Sequence, residues 1–351
     1  MTWSFNTNSG DDVFSVAISA DGQYIIAGCE DNHIYFFNNT NSTPIWSYEM
    51  RPTVTKSVNY VSVDISADGQ YMVASREYVN KSPSYTKGDI FVFNKTNSTP
   101  LWIYESNNPI TQVAISADGQ YIVSGEWGGA VRLFNKDSNS TLWTCPTIYS
   151  VSRIAISADS NYIVAGAGYN ILLLARGGPL PLTNYTTNHG IKAVSISDDG
   201  EYFVGGCGWK DGNVYLFNRT YPLPLWSRNI VQVETLSISG DGRYIAAGST
   251  NYNVYMFNRN SSKVLWYHHI RSYSFSIDLS ADGYYMVSGS LDLELFCNNY
   301  TGDKTSFPPL IHLVLLSSFQ RSSIISISNL IIITAISISI IIVFIMIKKR
   351  L

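Results

Sequence analysis

The sequence predicts an all-β chain, a seven-bladed β-propeller closed by its N-terminal strand, followed by one C-terminal transmembrane α-helix. Three observations carry that prediction. A turn phrase recurs seven times at blade-length spacing, the last copy lacks a strand that the start of the chain supplies, and an Ile-dominated stretch of membrane-spanning length lies near the end.

The phrase is clearest as SVAISADGQYIIAG from Ser15, SVDISADGQYMVAS from Ser62 and QVAISADGQYIVSG from Gln112. Weaker copies start at Arg153, Ala193, Thr235 and Ser276. The turn aspartates Asp21, Asp68, Asp118, Asp159, Asp199, Asp241 and Asp282 are separated by 47, 50, 41, 40, 42 and 41 residues. Such a period marks a stacked-repeat architecture, in which each unit is too small to bury its own faces.

Each unit reads as four short strands. The first, as in Val16 to Ser19, is a mostly apolar run suited to an inner position. Ser-Ala-Asp-Gly then makes a tight turn in which Gly22 and its counterparts take the positive φ of a hairpin. In the fourth unit Ser160-Asn161 replaces the glycine, and Asn tolerates a left-handed conformation. The second strand opens with Tyr in all seven units, and the third ends in Phe-Asn in five, at Phe37, Phe93, Phe134, Phe217 and Phe257. The fourth carries Trp46, Trp102, Trp143, Trp226 or Trp266, with Thr183 in their place in the fourth unit. Rings recurring at one place in every unit are expected to bury area between neighbours rather than to bind a ligand.

The seventh unit stops after its third strand, near Leu295 to Cys297. Trp3-Ser4-Phe5 matches Trp46-Ser47-Tyr48, so the opening residues are expected to pair beside Leu295 and leave no open sheet edge. The expected domains are a propeller over 2–300, a linker over 301–323 with an apolar patch from Leu310 to Leu316, a transmembrane helix over 324–347 and a basic tail over 348–351.

The S-x-D-G turn and the following Y-I-V-A-G strand resemble WD repeats. The outer half, for example Val214 to Trp226, looks more like the repeats of pyrroloquinoline-quinone dehydrogenases. The Gly-His and Trp-Asp dipeptides of orthodox WD repeats are absent, with Phe-Asn standing where Trp-Asp would be. The eight blades and adjacent-cysteine disulfide typical of the quinone enzymes do not appear in the sequence either. What the resemblance implies is a fold; it does not by itself transfer an activity.

The net charge is −3, and Lys348, Lys349 and Arg350 contribute +3, leaving −6 on the rest. That balance gives no electrostatic footprint for nucleic acid. Cys29, Cys145, Cys207 and Cys297 form no CxxC pair and fall in four units, so neither a zinc site nor an obvious disulfide is expected. The stretch from Ile324 to Ile347 spans ~36 Å as a helix, against a hydrocarbon core of ~30 Å. The basic tail that follows is expected in the cytoplasm, which places the propeller outside; the alternative is a tail-anchored protein with a cytoplasmic propeller.

Of the ten Asn-x-Ser/Thr sequons, seven (Asn38, Asn41, Asn94, Asn97, Asn139, Asn218 and Asn260) fall in turns between third and fourth strands, hence on one face, and Asn80, Asn184 and Asn299 fall elsewhere. The seven are candidate N-glycosylation sites, although turn chemistry alone favours Asn there. The opposite face, made of loops between second and third strands and of loops leading to the next unit, is the expected recognition surface. Enlarged loops there are expected to present Arg76, Tyr78, Tyr85, Trp127, Trp209 and Lys210, residue types that dominate interface energetics. His33, His189, His268, His269 and His312 form no metal-spaced cluster, and no nucleophile elbow or phosphate loop appears. The sequence is therefore read as a membrane-anchored platform for a protein or glycan partner, without cofactor, metal or catalytic site. The alternative is a propeller hydrolase, lyase or quinone-dependent oxidoreductase with its site at the channel mouth.

Overall fold

The computed structural model describes Phe5, Thr7 and residues 13–50, 56–81, 84–272, 274–289, 293–297 and 311–313. They form seven four-stranded antiparallel sheets, each a meander in chain order. The blades are 1 (13–49), 2 (56–106), 3 (110–146), 4 (151–186), 5 (191–229), 6 (233–269) and 7 (276–313). From blade 1 to blade 7 each first strand lies beside the next. The first strands of all seven line one central cavity of about 630 Å³. The architecture is that of a seven-bladed β-propeller.

The repeated turn does identical work in every blade. Ser19 Oγ donates to Asp21 Oδ1 at 2.6 Å, and the Tyr24 amide donates back to Ser19 Oγ at 3.0 Å. The same pair recurs at Ser66, Ser116, Ser157, Ser197, Ser239 and Ser280. The glycine of the turn must be left-handed and must also lie flat on the tyrosine of the preceding blade: a Cβ on Gly200 would stand 2.4 Å from the Tyr162 ring. In blade 4 it is Ser160, at φ 64°, and not Asn161, that takes this conformation. The hairpin fixes which position turns left-handed, and the residue there complies.

Two further contacts join each blade to the next. Lys95, Lys136, Arg176, Arg219 and Arg259 place their cations 4.2–5.2 Å from the rings of Tyr24, Tyr71, Tyr121, Tyr162 and Tyr202 in the preceding blade. The backbone carbonyls of four of these residues accept the indole N–H of Trp46, Trp102, Trp143 and Trp226 from that same preceding blade. Each cation–π contact contributes ~0.5–2 kcal/mol depending on burial. The periodic aromatics are thus blade-to-blade fasteners. Where Thr183 replaces Trp, blades 4 and 5 keep only the Tyr162–Arg219 contact of this pair.

The expected closure is corrected in part. The fourth strand of blade 7 is Ile311–Leu313, and Leu295 pairs with Ile311 on the edge that the N-terminal segment was expected to take. An edge at Leu293–Cys297 needs partners for its amides and carbonyls, and the apolar run assigned to the linker supplies them. Trp3 and Ser4 lie outside the described residues. Phe5, however, packs where the alignment with Tyr48 places it. Its ring lies 4.8 Å from Tyr35 and 5.1 Å from Phe37 in blade 1, as Tyr48 lies 5.6 Å from Phe91 and 5.2 Å from Phe93 in blade 2. On this side of blade 1, Ile25, Ala27, Cys29, Tyr35 and Phe37 pack with Phe5 and with residues of blade 1 itself, and they open onto the central cavity. The helix expected over 324–347 and the tail over 348–351 also lie outside the described residues; among the described ones, no helix is long and apolar enough to cross a membrane.

Candidate functional site

A meander of four strands sends its odd-numbered connections to one face and its even-numbered ones, with the passage to the next blade, to the other. The first face carries the Ser-Ala-Asp-Gly turns and seven of the ten sequons. There the Asn38 and Asn218 side-chain oxygens each accept both the amide and the hydroxyl of the threonine two residues on. Asn41, Asn94 and Asn97 likewise accept the amide two residues on. Asn135 and Asn258 make the same bond to residues 137 and 260 without belonging to a sequon. Turn geometry therefore accounts for these asparagines independently of any sugar.

On the second face the loops are tied to one another. The amide of Trp127 donates to Pro109 O at 2.9 Å, Thr147 to Gly129 O at 2.8 Å, and Gly168 to Ser150 O at 3.0 Å. The belt continues with Thr187 to Tyr169 O, Gly208 to Gly190 O, Ile230 to Gly212 O, Thr250 to Gln232 O and Ile270 to Tyr252 O, at 2.7–3.3 Å. Loops that would otherwise move independently are held as one platform from blade 3 to blade 6.

Side chains brace this belt from beneath. Asp211 is buried and accepts the Tyr215 hydroxyl at 3.1 Å and the Asn188 amide at 3.2 Å, so the loop entering blade 5 and the third strand of that blade share one carboxylate. Burial, followed by the neighbouring Asp211 charge, pushes the Tyr215 hydroxyl well above the usual range. Burial likewise pushes the Cys207 thiol up to about 12, which leaves it protonated and unreactive. In blade 1 Asp31 accepts the Tyr35 hydroxyl at 2.6 Å, and in blade 6 Asn251 donates to the Tyr255 hydroxyl at 2.8 Å. Blade 3 uses an ion pair, Arg132 to Glu126 at 2.7 Å, which raises the guanidinium further above its usual range.

The expected site residues separate into two groups. Trp127 and Trp209 are 62 % and 74 % exposed on the belt, with Lys210 Nζ 5.7 Å from the Trp209 ring. Arg76 and Tyr78 are not on an open loop. The insertion in blade 2 continues the sheet as a hairpin, with Tyr71–Lys81 paired to Ser84–Asn94 and Arg76 opposite Asp89. Arg76 is 8 % exposed; it forms an ion pair with Asp89 at 2.6 Å, donates to Met50 O at 2.5 Å and lies over the Tyr78 ring, itself 6 % exposed. A guanidinium so enclosed is a structural fastener. Tyr85 pairs with Asn80 near the hairpin tip, and its side chain lies outside the described ones.

Sequence reading missed further members of the exposed set. Ile148 is 93 % exposed in the loop after blade 3, where Tyr149 and Tyr169 meet edge to face at 5.4 Å. Val231, Tyr252 and Phe275 continue the exposed apolar series around blades 5 to 7. Val231 sits at φ 81° and Tyr252 at φ 63°; a β-branched residue there is a strained outlier. The available signal was an apolar side chain where a turn residue belongs, as in Pro146-Thr-Ile-Tyr-Ser150.

The central cavity is chemically different. Asp64, Asp198 and Asp278 line it, without any His, Lys or Arg among the lining residues. Asp64 accepts the Ile115 amide of the next blade at 2.9 Å, and Asp278 accepts the Ser237 hydroxyl of the preceding one at 2.9 Å. Among the described residues, no group of three His, Cys, Asp or Glu is placed to hold a metal ion.

Residues 2–38, 98–135 and 181–218 match the family model of the WD domain, G-beta repeat. The second match begins just before the fourth strand of blade 2 and the third within that of blade 4, and each runs through three strands of the next blade, so the sequence repeat is staggered against the blade. The three cover roughly a third of the chain. The chain thus carries WD40 repeats within a β-propeller architecture, and such repeats suggest a protein-interaction scaffold. No curated protein matches the chain.

Proposed function

We propose that the protein is a membrane-anchored interaction scaffold that binds a protein partner through the loop face of blades 3 to 6. The observation that carries the reading is the belt of loop-to-loop hydrogen bonds presenting Trp127, Ile148, Tyr149, Tyr169 and Trp209 to solvent. A platform ordered before binding loses little entropy on association, and contiguous exposed aromatics are the usual anchors of interfaces. A glycan partner would use the same exposed indoles as stacking surfaces.

The anchor is the Ile324–Ile347 segment, with the propeller outside and the basic tail in the cytoplasm; on the alternative sidedness the propeller is cytoplasmic. Protease protection of the propeller in sealed vesicles distinguishes the two. Outside, the sequons of the turn face are open to glycosylation while the loop face of blades 3 to 6 stays free.

A second reading, an enzyme working at the channel, draws on Asp64, whose carboxyl burial pushes up to about 6. Against it, Asp64 already accepts the Ile115 and Ile65 amides. The test is capture of partners from detergent-solubilised membranes by the wild type and by W127A/W209A. Loss of the captured partner with the double variant supports the scaffold reading; unchanged capture removes the loop face from it.

A further inference from the structure

The loop face of blades 3 to 5 is continuous. Gly129, beside Trp127, sits against the carbonyls of Thr147 and Tyr149. The Tyr149 ring touches Tyr169, whose carbonyl binds Thr187, and Gly190 binds Gly208 next to Trp209. The exposed rings therefore follow one another across three adjacent blades as a track and not as an isolated spot.

Charge along this track has one sign. Arg153, Lys192 and Lys210 are exposed, with Lys192 laid along Gly208. The acids of the same loops are withdrawn. Glu126 is buried and paired with Arg132, and Asp211 is buried beneath Tyr215, Asn213 and Asn188. The exposed charge of these loops is thus positive on a chain whose net charge is −3.

We infer that this track takes an extended peptide bearing acidic side chains and a large apolar anchor residue. The inference rests on the protein-binding reading above and adds the chemistry of the partner. Acidic groups meet Lys192, Lys210 and Arg153, while the anchor packs on one of the exposed apolar side chains Trp127, Ile148 and Trp209. Three exposed cations fall short of the roughly four to eight that recognition of an anionic lipid surface uses, which favours a peptide over a membrane.

The probe is a displayed library of random linear peptides, panned against the full chain in detergent, with enriched sequences then titrated by fluorescence anisotropy. The expected peptides are rich in Asp and Glu around Leu, Phe or Trp, and added salt weakens them. K192E/K210E weakens binding by roughly tenfold or more at low salt, with an unchanged denaturation midpoint. Neutral or basic peptides that are lost on W127A/W209A overturn the acidic-partner inference and leave the protein-binding reading standing. Peptides indifferent to both variants, or no enrichment at all, overturn the inference and count against the loop face itself. Preferential binding to phosphatidylserine vesicles overturns it in favour of a membrane.

Discussion

Asp64 offers a quantitative handle on the channel. It lies half-buried in the first strand of blade 2, facing the central cavity. Burial raises its carboxyl from 3.8 to about 6; the amides of Ile115 and Ile65 oppose that rise, and the charge of Asp278 adds to it. The folded chain thus keeps a proton that the unfolded chain releases. Stability from this group is fully present below about pH 4 and is lost as pH rises through about 6. Two pKa units correspond to about 3 kcal/mol, and water in the cavity lowers the effect to roughly 1–3 kcal/mol. Asp64→Asn removes the titration while the carboxamide oxygen still accepts the Ile115 amide. Urea denaturation across about pH 4 to 7.5 should show the variant gaining on the wild type by that amount as pH rises. A stability difference that stays flat with pH, or that grows in the opposite direction, refutes the reasoning.

Other substitutions follow from the same geometry. Asp89→Ala strands the Arg76 guanidinium in a buried site and should cost about 3–5 kcal/mol in chemical denaturation, most of which R76M/D89L recovers. Ser160→Gly and Val231→Gly relieve left-handed backbone and should each stabilise by about 1 kcal/mol, read as a rise in denaturation midpoint. Trp143→Phe removes the bond to the Arg176 carbonyl and should cost about 1 kcal/mol, whereas Trp127→Ala, on the exposed belt, should leave stability within about 0.5 kcal/mol.

Much of the fold could be read directly from residue order. Turn aspartates, turn glycines and leading tyrosines recur because each blade meets the next through the same contact, so Tyr24 against Lys95 repeats as Tyr202 against Arg259. The features that escaped are those depending on a partner distant in sequence. Arg76 reads as an exposed loop cation until Asp89, thirteen positions on, is placed opposite it. Ile311–Leu313 reads as linker until the open edge of blade 7 is known. The candidate site divides in the same way. Trp127 and Trp209 stand out as large rings in enlarged loops, whereas Ile148 and Tyr169 gain meaning only from neighbouring loops that hold them toward solvent.

The central claim is that one face of the propeller, the belted loop face, meets the partner. Photo-crosslinking in intact membranes tests it most directly, with a photoreactive residue placed singly at Trp127 or Trp209 and, on the turn face, at Asn97 or Asn139. The account predicts a discrete crosslinked partner from the first two positions and none from the last two. The same adduct from Asn97 or Asn139, with silence at both tryptophans, would contradict it.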